Sequence, residues 1–309
     1  MEWEIVSADS RQIYTGMDIG TGKDVLEEQR DIRFKIEEEF HGKTYELVPY
    51  VVRDTLIWLY DVVLPSDEFS VSHYAHGAKS VIQNIRSRGK LPIIVGGTGL
   101  YIKALVDDIE TLDVPRSEEL RNHLETKSVT ELQDLLREQS LTTFEKLNNS
   151  DRHNPRRLMR KIEIAMAPPE SRKKDSLASA KSSSADTLVI ALTMPTECIE
   201  QQITERVKRR IEEGVIAEVI HLHESGFDWD LPAMNTFGYK EWKQYLEDPT
   251  EPMKQRAENE WIRDECSYVK KQLTWFKKQN NLFWFDTNDP SFPEAVKEKV
   301  RLWYTSHGG

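Results

Sequence analysis

Two short apolar runs constrain the fold of this chain most. Ile5-Val6-Ser7-Ala8 and Leu91-Pro92-Ile93-Ile94-Val95 are too brief for buried helices, and small or polar residues follow each at once. Between them, residues 69–88 carry Val71, Tyr74, Ala75, Ala78, Val81, Ile82 and Ile85 at helical spacing. Strand, helix, strand and then a glycine turn is the pattern of a parallel βαβ sheet. An α/β core is therefore expected. Open α/β sheets place their chemistry at the carboxyl ends of the strands. Here those ends hold Asp9-Ser10-Arg11-Gln12, running on to Gly22, and Gly96-Gly97-Thr98-Gly99.

The remaining pattern divides the chain. Tyr45 to Val52 reads as one further strand interrupted by Pro49. From about Val114 to Ile164 the sequence turns helical and strongly charged, with Ser117 opening one helix and Ser128 capping another. Residues 168–187 read as a loop or hinge, rich in Ser, Ala and Lys. Leu188 to Leu192 is a strand again, a helix runs from Glu197 to a stop at Gly214, and another spans Glu258 to Lys278. The expected organisation is an α/β core from 1–112 and 188–309, split by a helical insertion over 113–187.

Composition excludes several classes. The 309 residues hold two cysteines, Cys198 and Cys266, too few for a disulfide framework. No apolar run reaches the roughly 20 residues of a membrane helix, and Met1-Glu2-Trp3-Glu4 does not read as a targeting signal. A cytoplasmic location is expected, with no membrane partner. The net charge of −11 argues against general nucleic-acid binding. Two basic clusters stand against that total. One comprises Arg152, Arg156, Arg157, Arg160, Lys161, Arg172, Lys173 and Lys174; the other comprises Lys270, Lys271, Lys277 and Lys278. Local patches of this kind decide phosphate contacts, and a solvated helix face is the plain alternative.

Asp9 stands where a carboxylate could take a proton, bind a cation or cap a helix. Gly96 to Gly99 would let a ligand approach the backbone, or would simply turn a strand into a helix. Gly22-Lys23 imitates the end of a Gly-x-x-x-x-Gly-Lys-[Ser/Thr] phosphate loop, but Met17 and Asp24 occupy positions the motif needs, so that reading is rejected. Arg156, Arg157 and Arg160 lie within one helical turn, which suits a phosphate backbone. Lys270, Lys271, Gln272, Thr274, Trp275 and Lys277 mix cations, an amide and an aromatic, which serves base stacking or amphipathic packing. No His or Cys cluster has metal spacing, and no metal-ligating residue is expected.

Taken in order, six blocks resemble the tRNA dimethylallyltransferases, also called tRNA isopentenyltransferases. They are Asp9–Gly22, Arg88–Tyr101, Asn154–Glu163, Arg206–Gly214, Phe237–Glu241 and Lys270–Lys278. The resemblance implies a P-loop-NTPase-like parallel sheet core with a helical insertion that binds tRNA. It implies transfer of a dimethylallyl group from dimethylallyl diphosphate to N6 of adenine 37, in the tRNA anticodon stem-loop. Asp9 matches the general base and Thr98 the threonine beside the reacting groups. Asp9, Ser10, Arg11, Gln12, Arg121, Arg156, Arg157, Arg160, Gly238, Tyr239, Lys240, Lys270, Lys271, Gln272, Thr274, Trp275 and Lys277 match tRNA-contacting segments. Arg206 matches a diphosphate ligand, and Mg²⁺ and a monomeric state are implied.

The departures are specific. The family's opening strand and phosphate loop have no counterpart in this sequence, which is read as a truncated start rather than a degenerate paralogue. Met194 and Gln202 stand where the family often has arginines, Lys271 replaces another, and Trp58-Leu59-Tyr60-Asp61 replaces a Pro-His-His-Leu signature. Two other readings stay open: a tRNA-binding paralogue without transferase activity, and an adenylate isopentenyltransferase acting on AMP or ADP.

Overall fold

The computed structural model describes residues 2–25, 27–40, 42–107, 112, 114, 117–168 and 187–306. It forms two compact units, one of residues 1–107 with 182–309 and one of residues 108–181. The hinge expected over 168–187 lies outside the described residues except at its ends, as do Arg172, Lys173 and Lys174.

In the first unit the chain forms β1 (Trp3–Ser7), β2 (Ile36–Phe40), β3 (Lys43–Leu47), β4 (Tyr50–Val52), β5 (Thr55–Trp58), α1 (Val71–Ser87), β6 (Leu91–Val95) and α2 (Gly99–Val106). The main sheet has the order β4-β5-β1-β6. β1 runs parallel to both neighbours, with Ile5 opposite Ile57 on one side and Ile93 on the other. The parallel core of β5, β1 and β6 is as expected, and one edge is added antiparallel, where β4 pairs with β5. The cause is local. Arg53 and Asp54 both take positive φ, 48° and 63°, which is the geometry of a tight two-residue hairpin turn. The single strand expected over Tyr45 to Val52 is corrected. β3 pairs with β2 in a separate hairpin, and the break at Val48-Pro49 sends β4 into the main sheet.

Ser70 begins α1 with a reciprocal cap, its Oγ accepting the His73 N–H while His73 Nδ1 accepts the Ser70 N–H. The apolar face foreseen for this helix is buried: Tyr74, Ala75, Ala78, Val81 and Ile85 pack on the sheet. Tyr74 stacks on Tyr101 of α2 with ring centres 3.9 Å apart.

The chain re-enters this unit through β7 (Val189–Thr193). It continues as α8 (Thr196–Glu212), α9 (Val215–Glu224), α10 (Lys243–Glu247), α11 (Glu251–Phe276), β8 (Leu282–Asp286) and α12 (Phe292–Ser306). β7 and β8 form a parallel pair of their own. Gly214, at φ 103°, makes the left-handed turn between α8 and α9. α11 starts seven residues before the expected Glu258, because Pro252 is compatible with a first helical turn. Of its inward stripe, Ala257 and Trp261 join the core with Met17, Trp58, Tyr239 and Trp242, and Glu265 is buried one turn on.

The second unit is helical, as α3 (Glu118–Glu125), α4 (Val129–Gln139), α5 (Leu141–Glu145), α6 (Asn149–Arg152) and α7 (Pro155–Met166). Ser117, Ser128, Ser140, Asn148 and Asn154 cap their helices with side-chain oxygens. Leu124, Leu132, Leu136, Phe144, Leu158 and Ile162 form its core. No described helix is long and apolar enough to cross a membrane.

Candidate functional site

The carboxyl ends of β1 and β6 meet. The Ala8 N–H donates to the Val95 carbonyl at 2.7 Å, and the Thr98 N–H donates back to the Ala8 carbonyl at 3.1 Å. A Cβ on Gly96 would lie 2.4 Å from the Ala8 carbonyl carbon, so only glycine permits this approach. Asp9 and the Gly-rich turn, 88 residues apart, are joined at Ser10, whose N–H donates to Thr98 Oγ1 at 3.0 Å. Thr98 precedes α2 but does not cap it with its side chain. Its hydroxyl faces Ser10 instead, donating to Ser10 Oγ at 3.3 Å.

Asp9 is half-buried, and Oδ1 accepts the Arg11 N–H at 2.8 Å. Burial pushes its carboxyl above the ordinary range, while the Arg11 amide and guanidinium pull the other way. Burial, reinforced by the charges of Asp9, Asp24 and Asp61, raises the nearby Tyr60 phenol to about 12. Gln12 ties the segment down. Its Oε1 accepts from Ser7 Oγ at 2.9 Å, and its Nε2 reaches the Gly22 carbonyl at 3.3 Å.

The third wall is α11. Gln272 Nε2 donates to the Gly97 carbonyl at 2.7 Å, and a Cβ on Gly99 would meet the Trp275 ring at 2.5 Å. Of the sequence-predicted residues, Asp9, Ser10, Arg11, Gln12, Thr98, Gln272 and Trp275 therefore converge. The rest of the α11 group does not. Lys270 is drawn to Glu200 at 3.0 Å, Thr274 Oγ1 donates to its own helix, and Lys271 and Lys277 are exposed.

Gly238, Tyr239 and Lys240 occupy a neighbouring network. The Tyr239 hydroxyl donates to Glu218 Oε1 at 2.6 Å. Glu218 also accepts the N–H groups of Asp18, Ile19 and Gly20, at 3.0, 2.8 and 3.1 Å. Three successive amides of this kind form an anion nest, and here the protein's own carboxylate fills it. Lys240 pairs with Asp264 at 2.6 Å. Gly238, at φ 86°, packs against Trp261. Lys23 is buried among the Tyr14 carbonyl, Asp18 and Asp61, which makes it a structural cation and supports rejecting a phosphate loop there. Arg206 is half-exposed and paired with Glu265. Glu265 also faces the buried Arg210, which donates to the Gly20 carbonyl at 3.0 Å.

In the helical unit, Arg121 and Arg160 both hold Glu163, Arg157 pairs with Asp151, and Arg156 lines a shallow cavity of about 550 Å³ with His153 and Asn154. Among the described residues, no three His, Cys, Asp or Glu side chains converge as a metal site.

Sequence reasoning missed Glu218, Arg210, Tyr60 and Tyr268. Tyr268 had a signal, since it lies one turn before Gln272 on the same helix face. Glu218 had none, because the three amides it gathers are about 200 residues away.

Comparison with known proteins follows the same outline. A family model described as IPP transferase matches residues 53–279. The tRNA dimethylallyltransferase 2 of Treponema denticola is 34% identical over 275 residues, covering 89% of this chain and 83% of its own. The tRNA dimethylallyltransferase of Thermomicrobium roseum is 32% identical over 300 residues, covering 96% and 82%. Among solved structures, the tRNA isopentenylpyrophosphate transferase of Bacillus halodurans matches with TM-score 0.61 and 30% identity, over 97% of this chain and 86% of that one. A eukaryotic dimethylallyltransferase acting on tRNA shares the fold at TM-score 0.70 and 22% identity, over 96% and 71%. Sequence matches of this depth, across nearly the whole chain, place it in the tRNA dimethylallyltransferase (IPP transferase) family.

Proposed function

We propose that this chain transfers a dimethylallyl group from dimethylallyl diphosphate to N6 of adenine 37 in the anticodon stem-loop of tRNA. One observation carries the reading above all. A carboxylate whose proton affinity burial has raised stands at a strand end, joined through Ser10 to Thr98 and to a glycine turn against which Gln272 and Trp275 pack. The exocyclic amine of adenine is a weak nucleophile and needs a positioned base. As N6 bonds to the allylic carbon, the carbon–oxygen bond to diphosphate breaks and the diphosphate leaves with the electron pair. Asp9 accepts the proton that N6 sheds. An adenine inside a stacked loop cannot reach Asp9, so it is extruded first.

Arg206, one of whose Nη atoms is engaged by Glu265, is the proposed cation for the departing diphosphate. Any Mg²⁺ would come held largely by diphosphate oxygens and water, as is usual for that ion. No step here runs through it. Ser10, Arg11, Gln12, Lys240 and the α11 cluster are proposed RNA contacts in the core unit, whereas the matched Gly238 and Tyr239 are buried and serve packing. Arg121, Arg156, Arg157 and Arg160 play that part in an insertion over 113–187. Three of those four arginines already hold carboxylates, which leaves Arg156 as the strongest phosphate contact. We place the enzyme in the cytoplasm as a monomer.

The test is transfer of a labelled dimethylallyl group. Incubation with a stem-loop RNA is expected to yield N6-dimethylallyladenosine at the target position. Equal turnover of free AMP would establish the adenylate enzyme instead. Tight RNA binding without transfer would establish a non-catalytic paralogue.

A further inference from the structure

α11 carries Tyr268 and Gln272 one turn apart, on one face. The bond from Gln272 to the Gly97 carbonyl fixes that face against the Gly-rich turn. Tyr268 consequently faces the same Gly-rich turn as Gln272, with the Thr98 and Gln272 side chains in reach of its hydroxyl. Its other side meets Phe237, with ring centres 5.3 Å apart and planes inclined at 55°. Lys240 Nζ lies 5.0 Å over the Phe237 ring. A row of Lys240, Phe237 and Tyr268 therefore runs toward the Gly-rich turn that carries Thr98.

Tyr268 is also unlike the tyrosines that serve packing. Tyr74 and Tyr239 are 1% and 0% exposed, whereas Tyr268 is 36% exposed despite its contacts. An aromatic ring left open beside the Gly-rich turn offers a flat apolar face with polar edges. Phosphates of an RNA strand suit Arg11 and Lys240, and an extruded base suits the ring between them.

We propose that Tyr268 is the stacking platform for the 6-aminopurine that presents its amine to Asp9. This rests on the transfer reading above and adds how the purine is held. Stacking of a base on an aromatic side chain contributes roughly a 5- to 150-fold gain in affinity. The ring supplies that gain and the hydroxyl does not, so phenylalanine substitutes for tyrosine and leucine does not.

The experiment measures binding of the full chain to two stem-loop RNAs by fluorescence anisotropy. One RNA carries adenine at the target position and the other an abasic site. The wild-type protein is expected to prefer the adenine form at least about 5-fold. Tyr268→Phe keeps that preference. Tyr268→Leu loses it, binding both RNAs with the wild-type affinity for the abasic form. A Tyr268→Leu variant that still prefers adenine, or that weakens on both RNAs equally, overturns the role of Tyr268. A wild-type protein that binds both RNAs equally also overturns it, while leaving the transfer reading intact. A wild-type protein that binds neither RNA overturns the transfer reading and this inference together.

Discussion

Gln272 and Gly97, 175 residues apart in the chain, are joined by a hydrogen bond of 2.7 Å that closes the site from the α11 side. The bond depends on glycine, because a Cβ at position 97 would lie 2.3 Å from the same amide nitrogen.

The neighbouring glycines should separate stability from function. At Gly97 the obstacle is the mobile end of a side chain, so Gly97→Ala is expected to lose about one hydrogen bond, roughly 0.5–1.5 kcal/mol, while transfer falls steeply. At Gly96 the obstacle is the Ala8 backbone, which cannot move aside. Gly96→Ala is expected to cost more, about 1–3 kcal/mol. Urea unfolding of both variants checks the order, and a reversed order contradicts this geometry.

Asp9 should show opposite effects on rate and stability. Asp9→Asn is expected to reduce turnover roughly 10²–10⁴-fold while sparing RNA affinity. Burial raises the folded-state proton affinity of Asp9, so its stabilising contribution is complete only below the unfolded value of about 3.9 and is lost as pH rises through the higher folded value. The asparagine variant should therefore melt above the wild type at neutral pH and match it in acid. A lower melting point at neutral pH would count against the burial argument.

Glu241 should dominate the pH dependence near neutrality. Its carboxylate accepts the Gly238 N–H at 2.9 Å, and burial pushes its pKa up to about 7. The folded state keeps the proton longer than the unfolded chain, so this contribution is present in acid and fades as pH rises through 7. Glu241→Gln keeps an acceptor for Gly238 and removes the titration. The variant is expected to be equal in stability to the wild type near pH 4 and more stable by about 3 kcal/mol near pH 8. Denaturant titrations at both pH values decide it.

The arginines of the helical unit should divide by their existing partners. Arg121→Ala deprives the buried Glu163 of one of its two cations and is expected to destabilise by about 1–3 kcal/mol. Arg156→Ala should leave stability unchanged, weaken RNA binding, and lower the salt slope by about 1. Lys271→Ala, at an exposed position of α11, should act like Arg156→Ala. An unchanged slope in either variant removes that residue from the RNA contacts.

The local grammar of the chain was legible from its residues. Ile5 to Ala8 and Leu91 to Val95 announced β1 and β6, and Ser117, Ser128 and Gly214 marked helix ends, because strand periodicity and capping are set by neighbours within a few positions. Asp9 drew notice for the same reason, standing just past the end of a strand, whereas Thr98 was singled out by the family resemblance. The hairpin of β2 and β3 was not legible, since Glu37-Glu38-Glu39 carries no alternating apolar signal.

Tertiary structure alone decided which polar groups share a space. Nothing near Glu218 in sequence shows that it fills the nest of Asp18 to Gly20, and nothing near Lys23 shows that it is buried. Sequence pattern specifies which face of each element turns inward. The meeting of distant side chains depends on how those faces pack, and close packing sets that only once the whole core has assembled.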